Sequence, residues 1–453
     1  MSQKIELNRR AFLRTAGMTA LAGAVGTGTS MAVAEPYTMA NSSDGGVYDF
    51  DTVYSRVGTY CTKWDRQIER FGRENIEVGM GIADMDFRTA PCITKALARR
   101  CNHENWGYGI PRKAYIDAIV AWNKNRHGID VDPDSVELSA GVHPALIAAL
   151  RTFAPPGSRV LMTTPIYSGF YSDLRETLTV TADSLGKLEN GRYSIDWDDL
   201  ESKIDIDTNA LIVCNPQNPT GNCWSEEDLL RLGRLCLERR VVVLADEIHC
   251  DFVMKGQKYV PFASLPDKDV VNNSLTFKAI SKTFSLAAMK SAYYFSTNPD
   301  YLKRVDVNHR ADLNTLGIIA NEAAYREGAD WFDQLLPYID ANHDYVVAYT
   351  KEKMPLVDYT KAQGTYLAWL DVSKVVDKID AKGKAEAASK TSESPVTPEQ
   401  IVEKWFVENA HVQLNPGSNY GTGGVGHMRM NLGTSRKLIE LALHNMAEAL
   451  DKA

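Results

Sequence analysis

Between residues 159 and 296 short apolar runs alternate with helical stretches, and this alternation constrains the fold more than any other feature. The runs fall at 160–163, 211–214, 241–245, 275–279 and 292–295, and a helix is predicted over 226–239, between two of them. Strands alternating with helices predict parallel βαβ units and a doubly wound sheet, the α/β class. Beyond residue 300 the pattern turns mostly helical, over 308–326, 331–353 and 398–409, with strand-like 366–370 and 427–431 interspersed. That change predicts a separate α+β lobe. Residues 372–400 are polar and low in complexity, and read as a mobile surface insertion.

Open α/β sheets bind ligands beyond the carboxyl ends of their strands. Three polar residues follow apolar runs of this chain: Asn218 in Asn215-Pro216-Gln217-Asn218-Pro219-Thr220-Gly221, Asp246 in Asp246-Glu247-Ile248-His249, and Lys282 in Ser281-Lys282-Thr283-Phe284. A lysine, an aspartate and an asparagine gathered there suit pyridoxal phosphate. The lysine would form the Schiff base and the aspartate would pair with the protonated ring nitrogen. Such a lysine must give up its proton, so it needs an apolar or cationic neighbourhood; Lys290 and the cofactor ring are candidates for part of it. Gly141-Val142-His143-Pro144 opens a helix whose free N–H groups could receive a phosphate. Arg429, on a strand behind a glycine-rich loop, could clamp a carboxylate through two parallel hydrogen bonds. Each residue also has a plainer reading in isolation: a helix cap for Asp246, a surface ion pair for Arg429, a buried helix start for 141–144.

The net charge of −8 argues against a nucleic-acid partner, which requires a basic face. No apolar run is long enough to span a bilayer. The 7 cysteines include no C-x-x-C pair, which argues against a zinc or redox motif, and no metal is expected. No cysteine pair is singled out for a disulfide. At the N-terminus, Asn8-Arg9-Arg10-Ala11-Phe12-Leu13-Arg14 precedes a mildly apolar stretch ending in Ala32-Val33-Ala34. This resembles a twin-arginine export leader cleaved before Glu35, with an extracytoplasmic, periplasmic destination.

Taken in order, the motifs resemble a known family. They are Ala83-Asp84-Met85-Asp86-Phe87, Gly107-Tyr108-Gly109, Gly141-Val142 with Pro144, Thr164-Pro165-Ile166-Tyr167, 215–221, 246–249, 281–284, 364–371 and Asn415-Pro416-Gly417. The chain resembles the aspartate-aminotransferase superfamily of fold-type I pyridoxal-phosphate enzymes, and within it the bacterial cystathionine β-lyase, or C–S lyase, branch. The resemblance implies a large cofactor-binding domain over 89–328. It also implies a smaller α+β domain built from both chain ends, 35–88 and 329–453, after a leader over 1–34. It implies that Lys282 carries the cofactor and shuttles the proton, that Asp246 pairs the ring nitrogen, and that Asn218 and His249 address the ring's phenolate oxygen. Tyr167 would stack on the ring. Gly141, Val142 and His143 would hold the phosphate, with Ser281 and Lys290 beside the cofactor. Tyr108 would reach the phosphate of a neighbouring subunit, which implies a homodimer. Arg429 would hold the substrate α-carboxylate.

Three positions depart from the family pattern: His143 stands where a small or apolar residue is usual, Lys290 where aminotransferases carry an arginine, and Ala279 where they carry a serine. The implied reaction is β-elimination on a cysteine S-conjugate such as cystathionine, giving a thiol, pyruvate and ammonia. The alternative is transamination between an L-amino acid and a 2-oxo acid. Both use the same groups up to loss of the Cα proton.

Overall fold

The computed structural model describes residues 46–310 and 312–453. The twin-arginine reading and the expected cleavage site lie outside the described residues. The described strands are β1 (Val78–Gly79), β2 (Val136–Ser139), β3 (Arg159–Thr164), β4 (Val180–Leu185), β5 (Lys187–Glu189), β6 (Arg192–Ser194), β7 (Thr208–Cys214), β8 (Val242–Asp246), β9 (Ser274–Lys278), β10 (Ala292–Phe295), β11 (Leu367–Asp371), β12 (Val412–Gln413), β13 (Asn415–Pro416) and β14 (His427–Asn431).

Seven of them form one sheet in the order β2-β10-β9-β8-β7-β3-β4. The five strands from β4 to β9 pair in parallel, whereas β10 runs antiparallel to both β9 and β2. The chain is therefore α/β with a mainly parallel central sheet. The parallel strands are apolar along their length because both faces are covered. Ala210, Ile212, Val242 and Leu244 pack on one face with the helix Val142–Phe153. Leu211, Val213, Val243 and Ala245 pack on the other with Leu229, Leu232 and Cys236 of the helix Glu226–Glu238. The period-two alternation assigns each side chain its face. The helix Glu226–Glu238 begins at a capping box, in which the Ser225 and Asp228 side chains each bond the other residue's backbone N–H.

A second, antiparallel sheet has the order β11-β14-β13. Its core gathers residues from distant stretches, among them Cys61, Trp64, Ile76, Val78 and Met80 with Val346, Leu370, Val402, Phe406, Met428, Leu443 and Met446. β1 also pairs in parallel with β12, so this core joins segments far apart in the chain.

Two sequence expectations change. Residues 372–400 are not a loose insertion. They form the helices Ser373–Lys378 and Ala381–Ser389; Val375, Val376, Ile379 and Ala381 are buried in the same core, and Ala385 is buried as well. Alanine and valine carry too little apolar bulk to stand out among lysines, yet they suffice to dock two short helices. The helix expected over 308–326 begins only at Thr315, where the Asn314 side chain accepts the Gly317 N–H at 2.6 Å. All 7 cysteines are free. Among the described residues no helix is long and apolar enough to cross a membrane.

Candidate active site

The parallel pairing brings the carboxyl ends of four strands to one edge of the sheet. Asp246 is the last residue of β8 and stands opposite Cys214 of β7 and Phe277 of β9. β7 runs into the turn 215–221, β9 into the turn that carries Lys282, and β3 into Tyr167, which starts the helix Ser168–Glu176. The Gln217 amide holds the 215–221 turn by donating to the carbonyls of Thr163 and Pro165 at 2.8 and 2.9 Å. Gly221 closes it at φ +73°, where a side chain would also strike the Ala362 Cβ at 2.4 Å. Asn218 is thereby buried in a fixed position.

Arg429 reaches this edge from β14. Its Nη1 donates to Asn218 Oδ1 at 3.0 Å and its Nη2 to the Gly81 carbonyl at 2.8 Å. The guanidinium lies over the Tyr420 ring, 5.1 Å from the centroid. Lys282 Nζ donates to the Ala83 carbonyl at 2.9 Å. Burial first, and the Arg429 charge second, pull its ammonium down to about 8, against the opposite pull of Asp84 and Asp246. Lys290 does not contribute: it is exposed, at φ 50° beyond a short 3₁₀ turn. The expectation that Lys290 helps lower the Lys282 ammonium is therefore corrected.

Asp246 is buried, its Oδ1 accepts the Ile248 N–H at 3.1 Å, and no side chain among the described residues donates to it. Burial pushes its carboxyl up to about 6, although His143 and Lys282 pull the other way. His249 is also buried, and its Nδ1 has no partner. Burial, then the charges of Lys282 and Arg429, hold it well below the usual histidine range, so it is neutral. Together these give a lysine that loses its proton easily, an unpaired carboxylate and an open ring nitrogen. Tyr167 is half-buried, with its ring centroid 5.6 Å from that of His143. Gly141 caps and Val142 begins the twelve-residue helix whose first turn carries His143. Ser281 directly precedes Lys282 and is half-buried. Tyr108 is fully exposed and takes no hydrogen bond or ring contact among the described residues, so this chain does not bring it to its own Lys282.

Two supports escaped the sequence reading. The first holds the loop 81–87, whose carbonyls receive Arg429, Lys282 and the Tyr366 hydroxyl. Arg56 bonds Asp84 at 2.8 Å and Asp86 at 3.2 Å, while the buried Lys63 meets Asp86 at 2.6 Å and Trp64 Nε1 donates to it at 3.0 Å. Asn431 donates to the carbonyls of Ile82 and Asp84. The cluster of charge and aromatics at 56–65, upstream of paired aspartates, was the available signal. The second support is Asp251. It accepts the Thr283 hydroxyl at 2.6 Å and Trp122 Nε1 at 3.1 Å, and pairs His127 Nε2 at 2.9 Å. Its oxygens are thus already taken, although His127, Cys250 and Asp251 lie close enough together to suggest a metal.

The family model for class I and II aminotransferases matches residues 75–445. The chain belongs to that family. Among its members the chain is similar to cystathionine β-lyase PatB of Bacillus subtilis, 37% identical over 409 residues that cover 89% of this chain and 100% of that one. Cystalysin of Treponema denticola, solved with pyridoxal 5′-phosphate, is similar at a TM-score of 0.80 and 28% identity, covering 90% of this chain and 100% of that one. The pyridoxal-phosphate-bound C–S lyase of Staphylococcus hominis has the same TM-score of 0.80 and identity of 28%, with 90% and 99% coverage.

Proposed function

We propose that the chain is a pyridoxal-phosphate-dependent carbon–sulfur β-lyase acting on cysteine S-conjugates such as cystathionine. The cofactor is pyridoxal 5′-phosphate. The observation that carries the reading is a half-buried lysine brought down to about 8 at the same strand edge as a buried, unpaired carboxylate raised to about 6. An unpaired carboxylate in an apolar interior is unfavourable unless a cation is due to arrive, and a protonated pyridine nitrogen is such a cation. The likeness to PatB supports elimination over transamination.

Lys282, Asp246, Asn218, His249, Tyr167, Ser281 and the helix start at Gly141, Val142 and His143 would hold the cofactor. When bound, it supplies an electron sink for the charge left at the substrate Cα. Arg429 would exchange its bonds to Asn218 and Gly81 for the two oxygens of the substrate carboxylate, which fixes the Cα–H bond relative to Lys282. Lys282 Nζ, neutral above about pH 8, takes the Cα proton. Asp246 keeps the proton on the ring nitrogen. The Cβ–S bond breaks and the thiol leaves; water then completes the conversion of the remaining fragment to pyruvate and ammonia. The loop 81–87 and its Arg56–Lys63–Asp86 anchors keep the Lys282 partner carbonyl in place.

Two further elements belong to the reading. The exposed stretch from Trp106 to Ile110 suits a homodimer in which Tyr108 completes the neighbouring site. Residues 1–34 suit export through the twin-arginine route; fractionation of the full chain against a variant with both Arg9 and Arg10 replaced by lysine tests it. The catalytic test is incubation with cystathionine or an S-alkyl cysteine, following thiol and pyruvate. Release of both without an added 2-oxo acid is expected, and Lys282→Ala should lower the rate by at least about 10²–10⁴-fold. Turnover strictly dependent on a 2-oxo acid would replace the lyase with an aminotransferase.

A further inference from the structure

Arg429 carries a positive charge in the interior with no negative charge to meet it. It is buried, and among the described residues no carboxylate pairs with it; its hydrogen bonds go to the neutral oxygens of Asn218 and Gly81, at 3.0 and 2.8 Å. Its Nε has no acceptor among the described residues. What meets the charge instead is the face of a ring: the guanidinium carbon stands 5.1 Å from the centroid of Tyr420. Tyr420 is fully buried, and its hydroxyl takes no partner among the described residues, so the ring and not the hydroxyl is engaged.

The ring is itself fixed. Tyr420 ends the 3₁₀ turn Gly417–Tyr420, and its carbonyl accepts the Ile166 N–H at 3.0 Å. Trp369 packs edge to face against it, with centroids 5.3 Å apart and planes at 78°. Trp369 in turn stacks on His427 at 4.9 Å, and its Nε1 donates to the Tyr193 hydroxyl at 3.2 Å. Trp369 stands directly opposite Arg429 across β11 and β14, and the period of two puts His427 on the same face. One braced aromatic tier therefore lies against the guanidinium.

We propose that Tyr420 is a positioning residue for the substrate carboxylate: its ring face, braced by Trp369, holds the Arg429 guanidinium in place when the carboxylate takes over the bonds to Asn218 and Gly81. The proposal rests on the reading of Arg429 as the carboxylate clamp. That exchange removes both of the arginine's hydrogen-bond partners at once. No hydrogen bond joins Arg429 to Tyr420, so the ring's hold does not consume the N–H groups that a carboxylate needs. The attraction of a cation to an aromatic face is greatest where water is kept out, as it is here. A protein carboxylate in the same place would cancel the charge and compete with the substrate; a ring steadies the cation and leaves its charge to be used.

The test uses the full chain loaded with pyridoxal phosphate and two amines that carry no leaving group: L-alanine, and ethylamine, which is L-alanine without its carboxylate. Binding is read from the visible absorbance. Tyr420→Leu should weaken L-alanine about five- to thirtyfold and ethylamine less than about twofold. Tyr420→Met, a second variant without a ring, should agree, and Tyr420→Phe, which keeps the ring, should hold the wild-type preference. With S-methyl-L-cysteine as substrate, KM in Tyr420→Leu should rise in step with the loss of L-alanine binding. An equal loss for both amines in the two ring-free variants would make Tyr420 a packing residue and overturn the proposal. A Tyr420→Phe protein as weak as Tyr420→Leu would also overturn it, since the hydroxyl would then be the acting group. A wild type that binds L-alanine no better than ethylamine would overturn the reading of Arg429, and the proposal with it.

Discussion

Asp246 and Asp251 occupy one strand-end segment, both are buried, and their carboxyls are driven in opposite directions. Burial leaves Asp246 near 6, with one backbone N–H as its hydrogen-bond partner. Burial acts on Asp251 too, but bonds and charge from His127, the Thr283 hydroxyl and the Lys278 charge overcome it and hold that carboxyl at about 2. The difference lies in what each was given to bond. Asp251 is complete in the protein and fastens the residue beside Lys282. Asp246 is incomplete, and an incomplete buried anion is a binding site. The signs follow by linkage. The folded value of Asp246 lies above its ordinary 3.8, so ionisation lowers stability as pH rises from about 4 through 6, by about 3 kcal/mol at pH 8. The folded value of Asp251 lies below 3.8, so it contributes stability that is full above about pH 4 and lost as pH falls through 2.

The largest effect expected from the contrast is at Asp251. Asp251→Ala strands Trp122 Nε1, the Thr283 hydroxyl and His127 in the interior, and should cost about 3–5 kcal/mol in denaturant unfolding of the cofactor-stripped protein. A loss below about 1 kcal/mol would mean that the network is not the anchor described.

Asp246→Asn should act the other way. It removes a buried charge to which no cation is bonded, so the stripped protein should gain up to about 3 kcal/mol at pH 8, and nothing below pH 4. The same variant should lose most of the stabilisation that pyridoxal phosphate gives the wild type, because the ring nitrogen has lost its counter-charge. A stripped variant weaker than wild type at every pH would show that Asp246 already has a partner and would collapse the comparison.

The two aspartates also mark what the sequence could tell. Asp246 was legible because a strand-end position depends on the apolar run before it, and 241–245 is continuous and strongly apolar. Asn218 and Lys282 were legible for the same reason, and Arg429 because a glycine-rich loop leads into its strand. Asp251 was not. Its partners Trp122, His127 and Thr283 lie far from it in the chain, and nothing local distinguishes a networked aspartate from a solvated one. Arg56 and Lys63 were missed likewise, since their role appears only once Asp84 and Asp86 fold against them. The antiparallel direction of β10 was also hidden, because an apolar run carries no sign of strand direction. The helices of 373–389 were missed because their buried face is built from small residues.

The smallest effect is the most discriminating. Thr283→Val keeps the shape of the side chain next to Lys282 and deletes only the hydroxyl that donates to Asp251 Oδ2 at 2.6 Å. Trp122 and His127 remain as partners, so the loss should be about 1.5 kcal/mol. With one hydrogen bond fewer the Asp251 carboxyl rises, so the acid limb of stability should begin at higher pH. Burial and Arg429, the groups that lower Lys282, are untouched. The pH at which Lys282 becomes competent to capture pyridoxal phosphate should therefore stay near 8. A Thr283→Val protein whose capture profile moves while its stability does not would mean that Asp251 tunes the lysine instead of fastening it, and the division between a finished aspartate and an unfinished one would have to be redrawn.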